Sequence, residues 1–258
     1  MERHVSGVGS FDLSGRMALI TGGNGGIGLS MALGLQKAGA RVVIAGRSAA
    51  KGAQALKVLQ AGEAHFIEAD LSQAASSRAL IEASVRHLGG LDILVNNAGM
   101  TVRKRPERLS HEEWDTVLRT NLTSAFLCAQ AAHPHMKARG GKIINTGSML
   151  SIFGAPFAAA YAASKGGLVQ LTKSLAAAWA EDGIQVNAIL PGWIDTDMGA
   201  SARNQVAGLN ERVLARTPAG RWGKSEDFEG IAVFLASSAS RFITGTAIPV
   251  DGGYSMSG

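Results

Sequence analysis

TGGNGGIG, residues 21–28, lies between a short apolar run and a helix-length segment. Glycines placed after a strand and at the opening of a helix let the backbone approach a pyrophosphate at the helix N-terminus, so the stretch predicts a dinucleotide-binding β-α turn. The competing reading is a plain glycine-rich turn. Spacing does not choose among the glycines: Gly23, Gly25 and Gly28 satisfy G-x-G-x-x-G, while Gly22, Gly26 and Gly28 satisfy T-G-x-x-x-G-x-G.

The pattern around this turn supports the first reading. Residues 17–21, 42–45, 64–69, 91–95, 142–146, 185–190 and 247–250 are apolar runs of strand length, and residues 26–38, 49–61, 73–87 and 111–137 are helix-length segments between them. Continuous apolar strands joined by helical crossovers predict an α/β fold, a doubly wound parallel sheet with helices on both faces. At 258 residues the chain fits one domain over residues 13–258, preceded by a loose tail over residues 1–12. Residues 197–217 break the rhythm with glycines and scattered arginines and read as a mobile lid.

Composition narrows the function classes. Hydrophobic residues make up 46% of the chain and charged ones 17%, enough to bury a core. The 33 glycines recur with no short period, which leaves turns and close backbone approaches to explain them. No run reaches the roughly 20 apolar residues of a membrane helix, and the first ten residues lack the apolar centre of a signal peptide. With Cys128 as the single cysteine, a cytoplasmic protein is expected, with that thiol on a buried helix face. The net charge of +5 is dispersed and not interleaved with aromatics, so a nucleic-acid partner is excluded in favour of an anionic small molecule or a solvated surface. His133 and His135 flank Pro134, and His4, His65, His87 and His111 have no ligand spacing, so no metal is expected.

NAD sites place an Asp or Glu about 20 residues beyond the glycine turn to accept from the ribose 2′-hydroxyl. Here the second strand ends in AGRS, and no acidic residue occurs between Asp12 and Glu63. Arg47, with Ser48 as a hydroxyl donor, would welcome a 2′-phosphate, which predicts NADP (NADPH) over NAD, with NAD still possible. The alternative is a solvated strand-end charge.

YAASK, residues 161–165, sets Tyr161 and Lys165 one turn apart on a predicted helix over residues 155–181. Ser148 follows the fifth strand, at the sheet end where ligands of parallel sheets sit. A carbonyl receiving a hydride needs a proton on its oxygen, and a nearby cation favours the phenolate form needed for the reverse step. Ser148 would hold the substrate oxygen within reach of the Tyr161 hydroxyl.

TGGNGGIG, NNAG (residues 96–99), Ser148, YAASK and PGWIDT (residues 191–196), taken together, resemble the short-chain dehydrogenase/reductase family over most of the chain. The resemblance implies a seven-stranded Rossmann sheet, a Ser148, Tyr161, Lys165 catalytic set and a fourth member, Asn121, holding a helix kink and a proton-relaying water. For the cofactor it implies Gly22, Asn24, Gly26, Ile27 and Gly28 at the phosphates, Asp70 and Leu71 at the adenine, Asn97 and Gly99 on the ribose side, and Pro191, Ile194 and Thr196 at the nicotinamide. For Asp70 a helix cap is the competing role, and for Asn96 and Asn97 a brace of the sheet centre. The resemblance also implies a homotetramer built on the two long helices and the C-terminal segment.

For the substrate, Arg103 is the residue expected to meet a carboxylate, with Phe153, Trp193 and Met198 as an apolar wall. Lys104 and Arg105 read as solvated charge. Members acting on sugar acids carry similar basic runs, so a sugar acid or polyol is the first expectation. A 3-oxoacyl-acyl-carrier-protein reductase, served by Arg203, Arg212 and Arg216, is the second, and a non-catalytic cofactor-binding regulator the third.

Overall fold

The computed structural model describes residues 9–59 and 64–257. Among them, β1 (Met17–Thr21), β2 (Arg41–Gly46), β3 (Ala64–Glu68), β4 (Ile93–Asn96), β5 (Gly141–Thr146), β6 (Ile184–Pro191) and β7 (Ala247–Val250) form one sheet of seven strands, ordered β3-β2-β1-β4-β5-β6-β7. Every neighbouring pair is parallel. The helices are α1 (Gly26–Lys37), α2 (Ala49–Val58), α3 (Ala74–Leu88), α4 (His111–Leu118), α5 (Ser124–Met136), α6 (Ala159–Trp179), α7 (Asp197–Gln205), α8 (Leu209–Arg216) and α9 (Glu229–Ala236).

Side chains alternate along a strand, so an inner strand covered on both faces must be apolar throughout. In β1, Ala18 and Ile20 enter the core beneath α1, α2 and α9, whereas Met17 and Leu19 enter the core beneath α3, α5 and α6. Cys128 lies in the second core, where burial raises its thiol to about 11, as a packing residue would show. The strand order reverses between β1 and β4, so the loops leaving their carboxyl ends diverge and open a crevice there. No helix among the described residues is long and apolar enough to cross a membrane.

Several expected boundaries shift for physical reasons. The segment expected as one helix over residues 111–137 opens at the Ser110–Glu113 capping box but widens into a π-turn at Arg119–Thr123, between α4 and α5. The helix expected over residues 155–181 begins only at Ala159, because residues 155–158 form a turn that contains Pro156. Tyr161 therefore stands in the first turn of α6, at the positive end of its dipole, which favours a phenolate. Of the expected tail, residues 1–8 lie outside the described residues, as do His4 and residues 60–63. Gly9–Phe11, however, forms a 3-10 turn held by Ser238 Oγ to the Ser10 carbonyl at 3.0 Å. Residues 197–217 form the helix pair α7 and α8, packed through Ala202, Leu209, Val213 and Trp222.

Candidate active site

A cavity of about 1000 Å³ runs along the crevice, large enough for a dinucleotide beside a small substrate. Its cofactor end begins at the glycine turn. Gly22 and Gly26 have φ of 63° and 50°, and a Cβ on Gly28 would stand 2.3 Å from the Gly22 carbonyl oxygen, whereas one on Gly25 would meet open space. All three glycines of T-G-x-x-x-G-x-G are therefore constrained, whereas G-x-G-x-x-G includes the unconstrained Gly25, although a Cβ on its Gly23 would also stand 2.7 Å from Ile44 Cγ2. The Asn97 amide donates to the carbonyls of Thr21 (3.2 Å) and Gly22 (3.1 Å), and the Thr21 hydroxyl accepts from the N–H of Asn97 (3.0 Å). Asn96 donates to Asn145 at 2.9 Å, and Asn145 to Thr172 of α6 at 2.9 Å. The bracing role weighed for the asparagine pair is therefore present in both, through side chains.

Gly22, Asn24, Gly26, Ile27, Arg47, Asp70, Leu71, Asn97 and Gly99 line the cavity, and so do Pro191, Ile194 and Thr196. Gly28 and Ser48 do not. Gly28 serves close packing of the turn, and the Ser48 hydroxyl accepts from the Lys51 N–H at 3.3 Å, capping α2. Arg47 is exposed, and its side chain makes no ion pair or hydrogen bond among the described residues. Beside it, the Asn24 side chain lies 2.5 Å from where a Cβ on Gly46 would stand. A side chain at position 46 would require the Asn24 side chain to move. The Asp70 carboxylate accepts from the N–H (3.1 Å) and hydroxyl (2.9 Å) of Ser72, so it ties the turn before α3, while the helix N-cap itself is Gln73. These residues fit a dinucleotide: a cradle built on constrained glycines, and an unpaired guanidinium at the end of β2.

Ser148, Tyr161 and Lys165 meet in the same cavity. The Ser148 hydroxyl accepts from the Leu150 N–H at 3.1 Å and pairs with the Tyr161 hydroxyl. The Ser151 hydroxyl donates to the Lys165 carbonyl at 2.9 Å and accepts from the Ser148 N–H at 3.2 Å, tying the serine loop to α6. Lys165 Nζ donates to the Thr146 carbonyl at 2.6 Å and lies 5.7 Å from the Tyr161 ring centre, so the two side chains share one face as their spacing predicts. Burial lowers the Lys165 ammonium to about 8. Burial also pushes the Tyr161 phenol up, opposed by its hydrogen bond with Ser148 and by the Arg103 charge. The influence of Arg103 on this phenol is not apparent from its position in the sequence.

Asn121 sits in the π-turn. Its amide accepts from the Met100 N–H (2.8 Å) and donates to the Met100 carbonyl (2.9 Å) and the Ser164 hydroxyl (3.0 Å). Both Nδ2 hydrogens are engaged, so its side chain clamps the loop after β4 to α6, and Asn121 does not line the cavity. Gly167 lets α6 close on the same turn, since a Cβ there would reach Leu122 at 2.9 Å.

Arg103, Phe153, Trp193 and Met198 line the cavity beyond Ser148. The Arg103 guanidinium donates to the Met198 carbonyl (2.9 Å), the Ser201 hydroxyl (3.2 Å) and Gln205 Oε1 (3.4 Å), holding α7. Lys104 pairs with Glu113 and Arg105 with Glu107, which accounts for both as surface charge. Trp193 packs edge-on against Trp222 at 5.6 Å, so it is partly a core residue of the helix pair. Arg203 pairs with Asp195 and stacks 4.1 Å over Trp222, a structural role that removes it from the basic residues expected to greet an acyl carrier.

A family model described as enoyl-(acyl carrier protein) reductase matches residues 22–255. The gluconate 5-dehydrogenase of Gluconobacter oxydans (strain 621H) is 41% identical over 255 residues, covering 96% of this chain and 97% of that protein. This chain belongs to the short-chain dehydrogenase/reductase family. As a member it is an NAD(P)-linked oxidoreductase acting on CH–OH groups. A crystal structure of a gluconate 5-dehydrogenase from Burkholderia cenocepacia J2315, in complex with NADP and tartrate, superposes with a TM-score of 0.92 at 40% identity, covering 98% of this chain and 100% of that one. A 3-oxoacyl-[acyl-carrier-protein] reductase of Staphylococcus aureus (strain MW2) is 39% identical over 245 residues, 93% of this chain and 98% of that protein.

Proposed function

We propose that this short-chain dehydrogenase/reductase interconverts a secondary alcohol and a ketone on a small sugar acid, with NADP preferred to NAD. The observation that carries the substrate class is Arg103, a cation on the cavity wall close enough to act on the Tyr161 phenol, which suits an acidic substrate held beside the proton donor. The relatives named for gluconate and the solved neighbour holding tartrate, a hydroxy acid, support it.

The nicotinamide, when bound, supplies or accepts the hydride. This chain's residues do the rest. Ser148 orients the substrate oxygen, Tyr161 passes the proton at that oxygen, the Lys165 ammonium below the ring steadies the phenolate, and Asn121 fixes the frame around both. Gly22, Asn24, Gly26 and Ile27 take the phosphates, Asp70 and Leu71 the adenine, Asn97 and Gly99 the ribose side, and Pro191, Ile194 and Thr196 the nicotinamide carboxamide. Phe153, Trp193 and Met198 wall the substrate, and residues 197–217 close over it as a lid that excludes water.

A panel of gluconate, its keto acids, neutral polyols and an acetoacetyl thioester, followed through NADPH absorbance, tests this reading. Arg103→Ala is expected to lower kcat/KM for sugar acids by about tenfold or more beyond the loss seen with neutral polyols, which share only its contributions to α7 and to the Tyr161 phenol. Turnover of the thioester alone would move the assignment to the acyl-carrier reductases, and cofactor binding with no turnover to a regulator.

The preference for NADP is supported by the unpaired Arg47 and by the lack of any acidic residue at the end of β2. Arg47→Ala is expected to lower kcat/KM with NADPH by about ten- to a hundredfold and to leave NADH within about twofold. An NAD preference that survives the substitution would overturn it. We further propose a cytoplasmic homotetramer, whose mass light scattering on the purified chain would give directly.

A further inference from the structure

Arg212 and Arg216 stand one turn apart on α8, and both line the cavity. Neither side chain makes an ion pair or hydrogen bond among the described residues, although Arg103 and Arg203 nearby are both engaged. A basic residue in the last turn of α8 is favoured by the helix dipole, which accounts for Arg216 by itself. It does not account for Arg212, because like charges four residues apart repel and cost the helix a few tenths of a kcal/mol.

The setting of Arg216 indicates what it faces. Its guanidinium lies 4.8 Å over the Phe153 ring and 4.6 Å over the Tyr254 ring, and the two rings meet edge-on at 6.4 Å. Aromatic faces cover the guanidinium plane, so hydrogen bonds can be made only at its edge. Its Nε is buried without a partner. Its Nη groups make no hydrogen bond among the described residues and are not sealed, so they are the donors that a ligand acceptor in the cavity can meet. Phe153 belongs to the loop after Ser148, which places this oriented, unsatisfied cation at the substrate end of the cavity.

We propose that Arg216, seconded by Arg212, is an anion subsite for a second acidic group on the substrate, making the preferred substrate a doubly acidic sugar derivative. The inference rests on the sugar-acid reading above and narrows it. The shared chemistry is a carboxylate or a phosphate at the end of the sugar remote from the first carboxylate, taken edge-on by the guanidinium.

The test uses the full chain loaded with NADPH. Gluconate, glucarate and gluconate 6-phosphate are titrated against nicotinamide fluorescence, and turnover of each is measured in parallel with NADP. At least one dianion is expected to bind about tenfold or more tightly than gluconate, and which one does identifies the group. Arg216→Gln is expected to collapse that preference, and Arg216→Lys to keep part of it. Should Arg216→Gln not fold, the exposed Arg212→Gln serves the same comparison, with an expected loss of about threefold. A parent protein with no dianion preference, a preference that survives Arg216→Gln, or equal weakening of gluconate and dianions would each overturn the proposal. Dianion binding that depends on Arg216 but gives no turnover would sustain the subsite and overturn the sugar-acid reaction. Turnover of gluconate with no dianion preference would do the reverse.

Discussion

Tyr161→Phe is expected to lower kcat for ketone reduction by roughly 10²–10⁴-fold, the range that one positioned proton donor contributes. The substitution removes one oxygen and little else. The helix turn, the Lys165 contact with the Thr146 carbonyl and the Asn121 clamp do not involve the phenol oxygen, so NADPH affinity should stay within about twofold. Loss of the Ser148 hydrogen bond costs on the order of 1 kcal/mol, a shift of about 2–4 °C in Tm for a chain of this size. Single-turnover oxidation of bound NADPH separates the chemical step from binding. A Tyr161→Phe protein that reduces its substrate as fast as the parent would remove the tyrosine from the mechanism.

Lys165→Met should nearly match that loss in rate, at about a hundredfold or more, while the fold gains rather than loses stability. The reason is the environment of the ammonium: it is 3% exposed, and among the described residues its one hydrogen-bond partner is the Thr146 carbonyl at 2.6 Å. Burial lowers its pKa from 10.5 to about 8, so the folded state disfavours the charged form. The sign follows. Below pH 8 the lysine is protonated in both states and the burial penalty is fully present; between about pH 8 and 10.5 the unfolded chain holds the proton and the folded chain does not, so stability rises with pH. Methionine carries no such penalty, so Lys165→Met should melt higher than the parent at pH 7 and the gap should narrow across that window. Over the same window kcat/KM of the parent should fall as the ammonium is lost, a limb that the variant lacks. A variant that melts lower at pH 7, or a parent whose kcat/KM is flat from pH 7 to 10, would contradict this account of Lys165.

Asn121 illustrates why some roles could be read in advance only as a family expectation. Its letter in RTNLTSAF carries no periodic signal for a wide helical turn. The turn exists because Asn121 joins Met100 and Ser164, residues 21 and 43 positions away, which only folding brings together. The start of α6 departs from the sequence pattern for a smaller reason: alanine-rich sequence continues the helical pattern through Pro156, although the chain there makes a turn.

What the sequence determined by itself rests on local rules. Continuous apolar runs with helix-length segments between them set the seven strands and their crossovers, and the four-residue step put Tyr161 and Lys165 on one face. Tertiary structure decided the rest: that Gly25 is the unconstrained glycine of the two spacings, that Asn24 stands over Gly46, that Arg103 is held by α7 from 98 positions away, and that Arg216 lies between Phe153 and Tyr254 with no ion pair among the described residues. Each of those depends on contacts between distant segments of chain, whose distance and burial no local spacing encodes.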